Sequence, residues 1–277
     1  MTQKTDIRTP LPLMQQWALI NAFGQRDLKA KFNGTLLGWL WSLVVPLATL
    51  GIYTLIFGGL FKMQVPGVTD RHAGISLFAV WLFAGLAIWG YFQNSINAGI
   101  NGLLSTGGLL QKVYFPSYAP VLGAGLAVGT QSAIEGALLL VVLALLRHAA
   151  WSWLLLPVFL AILAVFVQAV AVVLAVWNVY VRDLAQLVGV ILQLMFYATP
   201  IIYSVAIVPE ILWGLPVQFI VAHMPIAEFI DLFRTITYGG ETGTWTAWAA
   251  CAGWALAATA CATWAHRRWG ADLGERI

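Results

Sequence analysis

The sequence predicts an all-α, polytopic membrane protein, and three observations carry that prediction. The 277 residues are 61% hydrophobic and only 9% charged, where soluble domains carry about 25% charged residues. The mean hydropathy is +0.84, more apolar surface than a water-soluble chain of this length can hide. Six segments reach the roughly 20 apolar residues that a spanning helix needs. They are Leu36–Phe61, Gly74–Ile96, Ala119–Leu146, Ser152–Tyr180, Leu184–Val205 and Trp245–Ala265. Residues 1–277 are therefore expected to form one transmembrane domain, with the third and fourth segments long enough to tilt or to project beyond the bilayer.

Residues 1–34 form an arm ahead of the first span. The N-terminus is polar and lacks a short apolar core followed by a small-residue cleavage site, so no cleavable signal is expected. Leu13, Trp17, Ile20, Gly24 and Leu28 recur every three or four residues, with Gln15, Ala18, Ala22, Gln25 and Lys29 between them. That pattern predicts an amphipathic helix lying in the headgroup layer rather than crossing it. The arm ends in QRDLKAKF, where Arg26, Lys29 and Lys31 press a cationic collar against an apolar run. Such a collar either binds anionic lipid, as basic residues beside a span do, or handles an anionic cargo.

Six spans put both termini on one side, and the basic residues choose that side. The arm, the 97–118 loop, the turn at Arg182 and the C-terminal tail hold Lys4, Arg8, Arg26, Lys29, Lys31, Lys112, Arg182, Arg267, Arg268 and Arg276. The opposite set is Lys62, Arg71, Arg147 and Arg234. Both termini are expected in the cytoplasm. Between the fifth and sixth spans, residues 206–243 contain Pro209, Pro216 and Pro225, with Pro200 just before them. The apolar runs between these prolines are too short to cross, and proline interrupts helices. Two short re-entrant helices on the outer side are expected there, against the alternative of an amphipathic outer loop.

Several chemistries find no support. No phosphate-binding loop of the G-x-x-x-x-G-K-[ST] type occurs, no zinc spacing occurs, and nothing points to a nucleic-acid partner. Neither a catalytic nor a cofactor site is expected in this chain. His72, His148, His223 and His266 share no spacing. Cys251 and Cys261, ten residues apart and so about 15 Å apart along a helix, are read as packing residues. Glu135 lies inside a span with Gln131 one turn before it. The pair either lines a polar path or bonds a neighbouring helix. An ion-coupled transporter usually places several ionisable groups at midplane, which argues against that class. Aromatic residues make up 13% of the chain, most of them accounted for by interfacial belts. Tyr53, Phe57, Trp81, Phe83, Trp89, Tyr91, Phe196, Tyr197 and Tyr203 are spread through the first, second and fifth spans or just beyond. Aromatic planes suit the C–H faces of sugars, so these nine are candidates for a glycan path.

Four stretches carry a resemblance. They are RDLKAKFNGTLLGWLWSLVVPL at 26–47, LLQKVYFPSYAPV at 109–121, YVRDLAQLVGVILQLMFYATPIIY at 180–203 and MPIAEFIDLFRTITYG at 224–239. In this order between six spans, the chain resembles the permease subunit of type-2 ABC exporters. Specifically, it resembles the branch that exports lipid-linked polysaccharides such as O-antigen, galactan or teichoic acid during envelope biogenesis. The family often has Asn before the proline at 225, where this chain has Met224. The resemblance implies a homodimeric permease in the bacterial inner membrane, driven by two copies of a separate ATPase that holds ATP and Mg. It identifies the 97–118 loop as the element coupling to that ATPase, with Leu103, Leu104, Leu109, Leu110 and Lys112 as its contacts. It implies a polyprenyl-pyrophosphate headgroup met by Arg26, Lys29 and Lys31, with Gly38 allowing close approach of the headgroup or a neighbouring helix. The alternatives are an exporter of drugs or small lipids and, further off, an ion-driven secondary transporter.

Overall fold

The computed structural model describes residues 12–62, 77–110, 115–181 and 183–269. Among them the chain is helical, with no strand. Helix α1 spans Leu13–Phe32. Residues Gly38–Leu60 form one continuous helical rod. It begins with a 3-10 turn, continues as α2 (Trp41–Tyr53) and ends in a π-helical segment at Thr54–Leu60. Then come α3 (Leu77–Ser105), α4 (Gly107–Leu110), α5 (Tyr118–Leu145) and α6 (Leu156–Tyr180), the last led in by a 3-10 turn at Trp151–Leu155. The remainder is α7 (Leu184–Ala198), α8 (Val217–Ala222), α9 (Pro225–Thr237) and α10 (Trp245–Trp269).

Three of these are long and apolar enough to cross a membrane: Gly38–Leu60, Tyr118–Leu145 and Trp151–Tyr180. Helices α3 and α10 have the length, with 29 and 25 residues. Helix α7 has 15 residues, about 22 Å, and so falls short of a 30 Å hydrocarbon core.

Two boundaries differ from expectation for physical reasons. Helix α3 runs nine residues past Ile96, because Ile96, Ile100 and Leu103 continue its buried stripe at spacings of four and three. The stretch expected as a loop from Asn97 is thus mostly helix. Helix α7 stops at Ala198, seven residues early, because Pro200 pushes the residue before it out of the helical region. Thr199 duly has φ −80° and ψ 140°. Of the two cysteines read as packing residues, Cys251 is buried and Cys261 is exposed.

Helices α3, α5 and α6 form the centre, with α10 along α6 and α9 across α3. Phe159 and Phe166 of α6 meet Phe229 and Phe233 of α9, with ring centroids 5.0–6.1 Å apart. Each such pair contributes about 0.5–1.5 kcal/mol beyond its area. Helix α1 runs beside α5 in the same direction. Gln16 accepts a bond from Tyr118 Oη at 2.8 Å, Gly24 lies against Gly123, and Lys31 reaches Gln131. The two glycines let the backbones touch: a Cβ on Gly123 would stand 2.9 Å from the Ile20 carbonyl. Ile20 and Phe23 fill the interface together with Phe115 and Ala119. Of the stripe predicted for α1, Ile20 and Gly24 are buried, whereas Trp17 is 60% exposed.

Candidate functional site

Two polar constructions stand out from the apolar bundle. The first joins the arm to α5. Lys31, in the last turn of α1, donates from Nζ to Gln131 Oε1. Gln131 Nε2 in turn donates to Glu135 Oε1 at 3.4 Å. Gln131 and Glu135 are one turn apart on α5, so their side chains share a face. Lys31 itself is exposed. Its neighbours in the collar are engaged differently. Arg26 pairs with the adjacent Asp27 at 2.8 Å and covers the Phe23 ring at 5.2 Å, and Lys29 is exposed. Lys29 and Lys31 also lie in the last turn of α1, where cations favour the helix dipole. Gly38 has φ +50° and nothing within 4 Å of where a Cβ would lie. Glycine is favoured there by the left-handed backbone that starts the rod.

The second construction centres on Arg234, which is 7% exposed. Its Nε donates to the Trp81 carbonyl at 3.1 Å, Nη1 to Pro200 O at 2.9 Å and Nη2 to Ile201 O at 2.7 Å. The guanidinium carbon lies 3.4 Å from the Trp81 ring centroid. Gly85 leaves the room, since a Cβ there would collide with Nη2. The arrangement answers the break in α7. The non-helical backbone that follows α7 needs donors for its carbonyls, all the more where water is scarce. Arg234 supplies them and ties α9 to α3 and to the end of α7. Burial pulls its guanidinium down to about 9, with Asp231 acting to raise it, so it remains cationic at neutral pH. Arg234 forms one wall of a cavity of about 710 Å³ that also contains Trp81, Tyr203, His223, Glu228 and Asp231. Partial burial raises the carboxyl of Glu228. Sequence reasoning counted Arg234 only as an outer-loop cation.

The nine aromatic candidates divide. Trp81, Phe83, Trp89 and Tyr91 are at most 9% exposed and belong to the core. Trp89 donates to Gln93 at 2.9 Å, and Tyr91 Oη accepts from Gln168 at 3.3 Å. Tyr53, Phe57, Phe196 and Tyr203 are half-buried, and Tyr197 is 64% exposed. Trp89, Phe196 and Tyr197 form a chain of ring contacts from core to surface at 5.7 and 5.3 Å. A second cavity, about 510 Å³ and almost wholly apolar, lies between α3, α5 and α6 beside Tyr91, Gly129, Gly136 and Leu163. Among the expected coupling residues, Leu104 and Leu109 are exposed, but Leu103 is fully buried and faces the core. Lys112 lies outside the described residues, as do the side chains of Leu13 and Leu110 and the cations Lys4, Arg8, Arg71, Arg182 and Arg276.

Apolar helices of spanning length, packed against one another, mark a multi-pass membrane protein. The family profile of the ABC-2 type transporter matches residues 18–238, and the chain belongs to that family. Permeases of this family work with an ATPase subunit. An O-antigen export system permease protein RfbA from Myxococcus xanthus is 30% identical over 207 residues, covering 74% of this chain and 75% of that protein. Two proteins of the same name from Klebsiella pneumoniae are 26% and 24% identical over 225 residues, covering 80% of this chain and 81% of each relative.

Proposed function

We propose that the chain is the permease half of an ATP-driven exporter that moves a polyprenyl-pyrophosphate-linked polysaccharide outward across the bacterial inner membrane. The observation that carries this reading is the likeness, over 74–81% of each chain, to proteins named O-antigen export permeases. Two copies enclose the path, and two copies of a separate ATPase drive it with ATP and Mg. The rod at Gly38–Leu60 and helices α3, α5, α6, α7 and α10 make six crossings. Helix α7 completes its crossing with the non-helical segment after Thr199, whose backbone is shielded by Arg234. Both termini face the cytoplasm. Helices α8 and α9 dip in from the outer side and gate the exit. The amphipathic character of α9 supports this: Ile226, Phe229, Ile230 and Phe233 are buried, while Asp231 is exposed.

Arg26, Lys29 and Lys31 meet the pyrophosphate at the cytoplasmic headgroup layer, where cations attract a multiply charged anion. Of the aromatic candidates, Tyr53, Phe57, Phe196, Tyr197 and Tyr203 retain surface that a passing glycan can touch. Leu104 and Leu109 present apolar surface to the ATPase. Their exposure supports that contact. Deleting the gene in its native host and analysing the lipid fraction tests the reading. Accumulation of a lipid-linked glycan inside the cell is expected, and normal surface glycan with no accumulated intermediate would refute it.

A further inference from the structure

We propose that Lys31 is a shared cation, parked on Gln131 and Glu135 of α5 when the permease is empty and handed to the anionic headgroup of the cargo when it is loaded. The inference rests on the pyrophosphate-linked cargo proposed above. Glu135 belongs to a helix long and apolar enough to cross a membrane, and a carboxylate there calls for a partner. Its partners come from α5 itself and from the arm. Gln131 donates to Glu135. Lys31 in turn donates to Gln131 across 100 residues of sequence. Its side chain is nevertheless exposed, so a phosphate oxygen reaches the same ammonium from outside the bundle.

An ammonium has three donors and no fixed fork. It exchanges one acceptor for another with little rearrangement, which a guanidinium held by three carbonyls does not. Glu135 and the cargo phosphate therefore compete for one charge. Docking of α1 on α5 through Gly24 and Gly123 keeps Lys31 within reach of both. Release of Lys31 from Gln131 is the local change by which the presence of cargo is passed to α5.

Competition predicts opposite signs for two neutralising variants. The permease–ATPase complex would be placed in phosphatidylcholine nanodiscs and its affinity for undecaprenyl pyrophosphate measured, with undecaprenol and inorganic pyrophosphate as comparison ligands. Lys31→Gln should weaken binding of the pyrophosphate lipid about tenfold, the scale of one charge-assisted bond. Glu135→Gln should strengthen it several-fold, and Gln131→Leu, which breaks the same chain without touching a charge, should act in the same direction. In the Lys31→Gln background, Glu135→Gln should have no further effect, because its influence runs through Lys31. A Glu135→Gln variant that binds no tighter than the parent overturns the proposal. So does a gain that persists without Lys31, which would mark a general field effect. Inorganic pyrophosphate bound as tightly as the lipid would place recognition in the free anion and likewise overturn it. If the parent complex does not distinguish undecaprenyl pyrophosphate from undecaprenol, the cargo reading itself fails and the proposal falls with it.

Discussion

Arg234 and Lys31 are both cations in an apolar bundle, and they are held in opposite ways. Arg234 is enclosed, stacked on Trp81 and bonded to three backbone carbonyls contributed by two other parts of the chain. Lys31 is exposed and bonded to a side-chain amide whose other end holds an acid. Carbonyls are fixed by the fold and cannot swing away, so the first cation acts as a fastener. Side-chain partners are mobile and a phosphate competes with them, so the second acts as a contact that can be exchanged. The residue types fit the roles. A planar fork with five donors suits several fixed acceptors, whereas a flexible ammonium suits a changing one.

The largest effect is expected from Arg234→Ala. It strands the carbonyls of Pro200 and Ile201 at about 1–3 kcal/mol each and empties the space above Trp81. Thermal unfolding of the purified protein in detergent should show a loss of several degrees or a failure to recover monodisperse material. Parent-like melting would show that water satisfies those carbonyls and that Arg234 is no fastener. Arg234→Lys should recover part of the loss, since one ammonium replaces the fork at one carbonyl but neither stacks nor spans all three. Full recovery in the same melt would erase the distinction drawn between the two cations.

Gly123→Val comes next. Its side chain meets Phe23 and the Ile20 carbonyl, and overpacking of this kind costs about 1–3 kcal/mol. Because it pushes α1 off α5, a bifunctional maleimide should bridge cysteines placed at positions 31 and 131 less efficiently in this variant than in the same cysteine pair without Gly123→Val. Undiminished crosslinking would mean that Lys31 reaches Gln131 without the glycine contact. The smallest effect is expected from Lys31→Gln on stability alone. An exposed polar contact contributes no more than about 1 kcal/mol, so its melting temperature should stay near that of the parent. A drop matching Arg234→Ala would make Lys31 a second fastener and remove its freedom to exchange.

The helices were legible in the sequence because each depends on a local apolar run. The rod at Gly38–Leu60, helices α5 and α10, and the 3-10 turn that leads into α6 all begin within two residues of the predicted starts. The misplaced ends involve weaker signals. Asn97, Ala98 and Gly99 read as a loop, yet the buried stripe Ile96–Ile100–Leu103 carries α3 onward. Ile201 and Ile202 read as more span, yet Pro200 had already ended α7. Gln131, Glu135 and Lys31 were each conspicuous as polar groups, but no pattern paired residues 100 positions apart. Arg234 could have been found. Ile226, Ile230 and Arg234 fall four apart in IAEFIDLFRTIT, which puts the arginine on the apolar face of α9.

By itself, the sequence determined that the chain is helical and membrane-embedded, and its motifs pointed to the transporter family, because apolar content and helical period are properties of neighbouring residues. Only the tertiary structure decided which aromatic side chains belong to the core and which reach the surface. It alone decided that Arg234 ties down the chain after α7 while Lys31 stays exposed. The reason is that a polar group within a bundle is satisfied through space, by partners that packing delivers from distant parts of the chain.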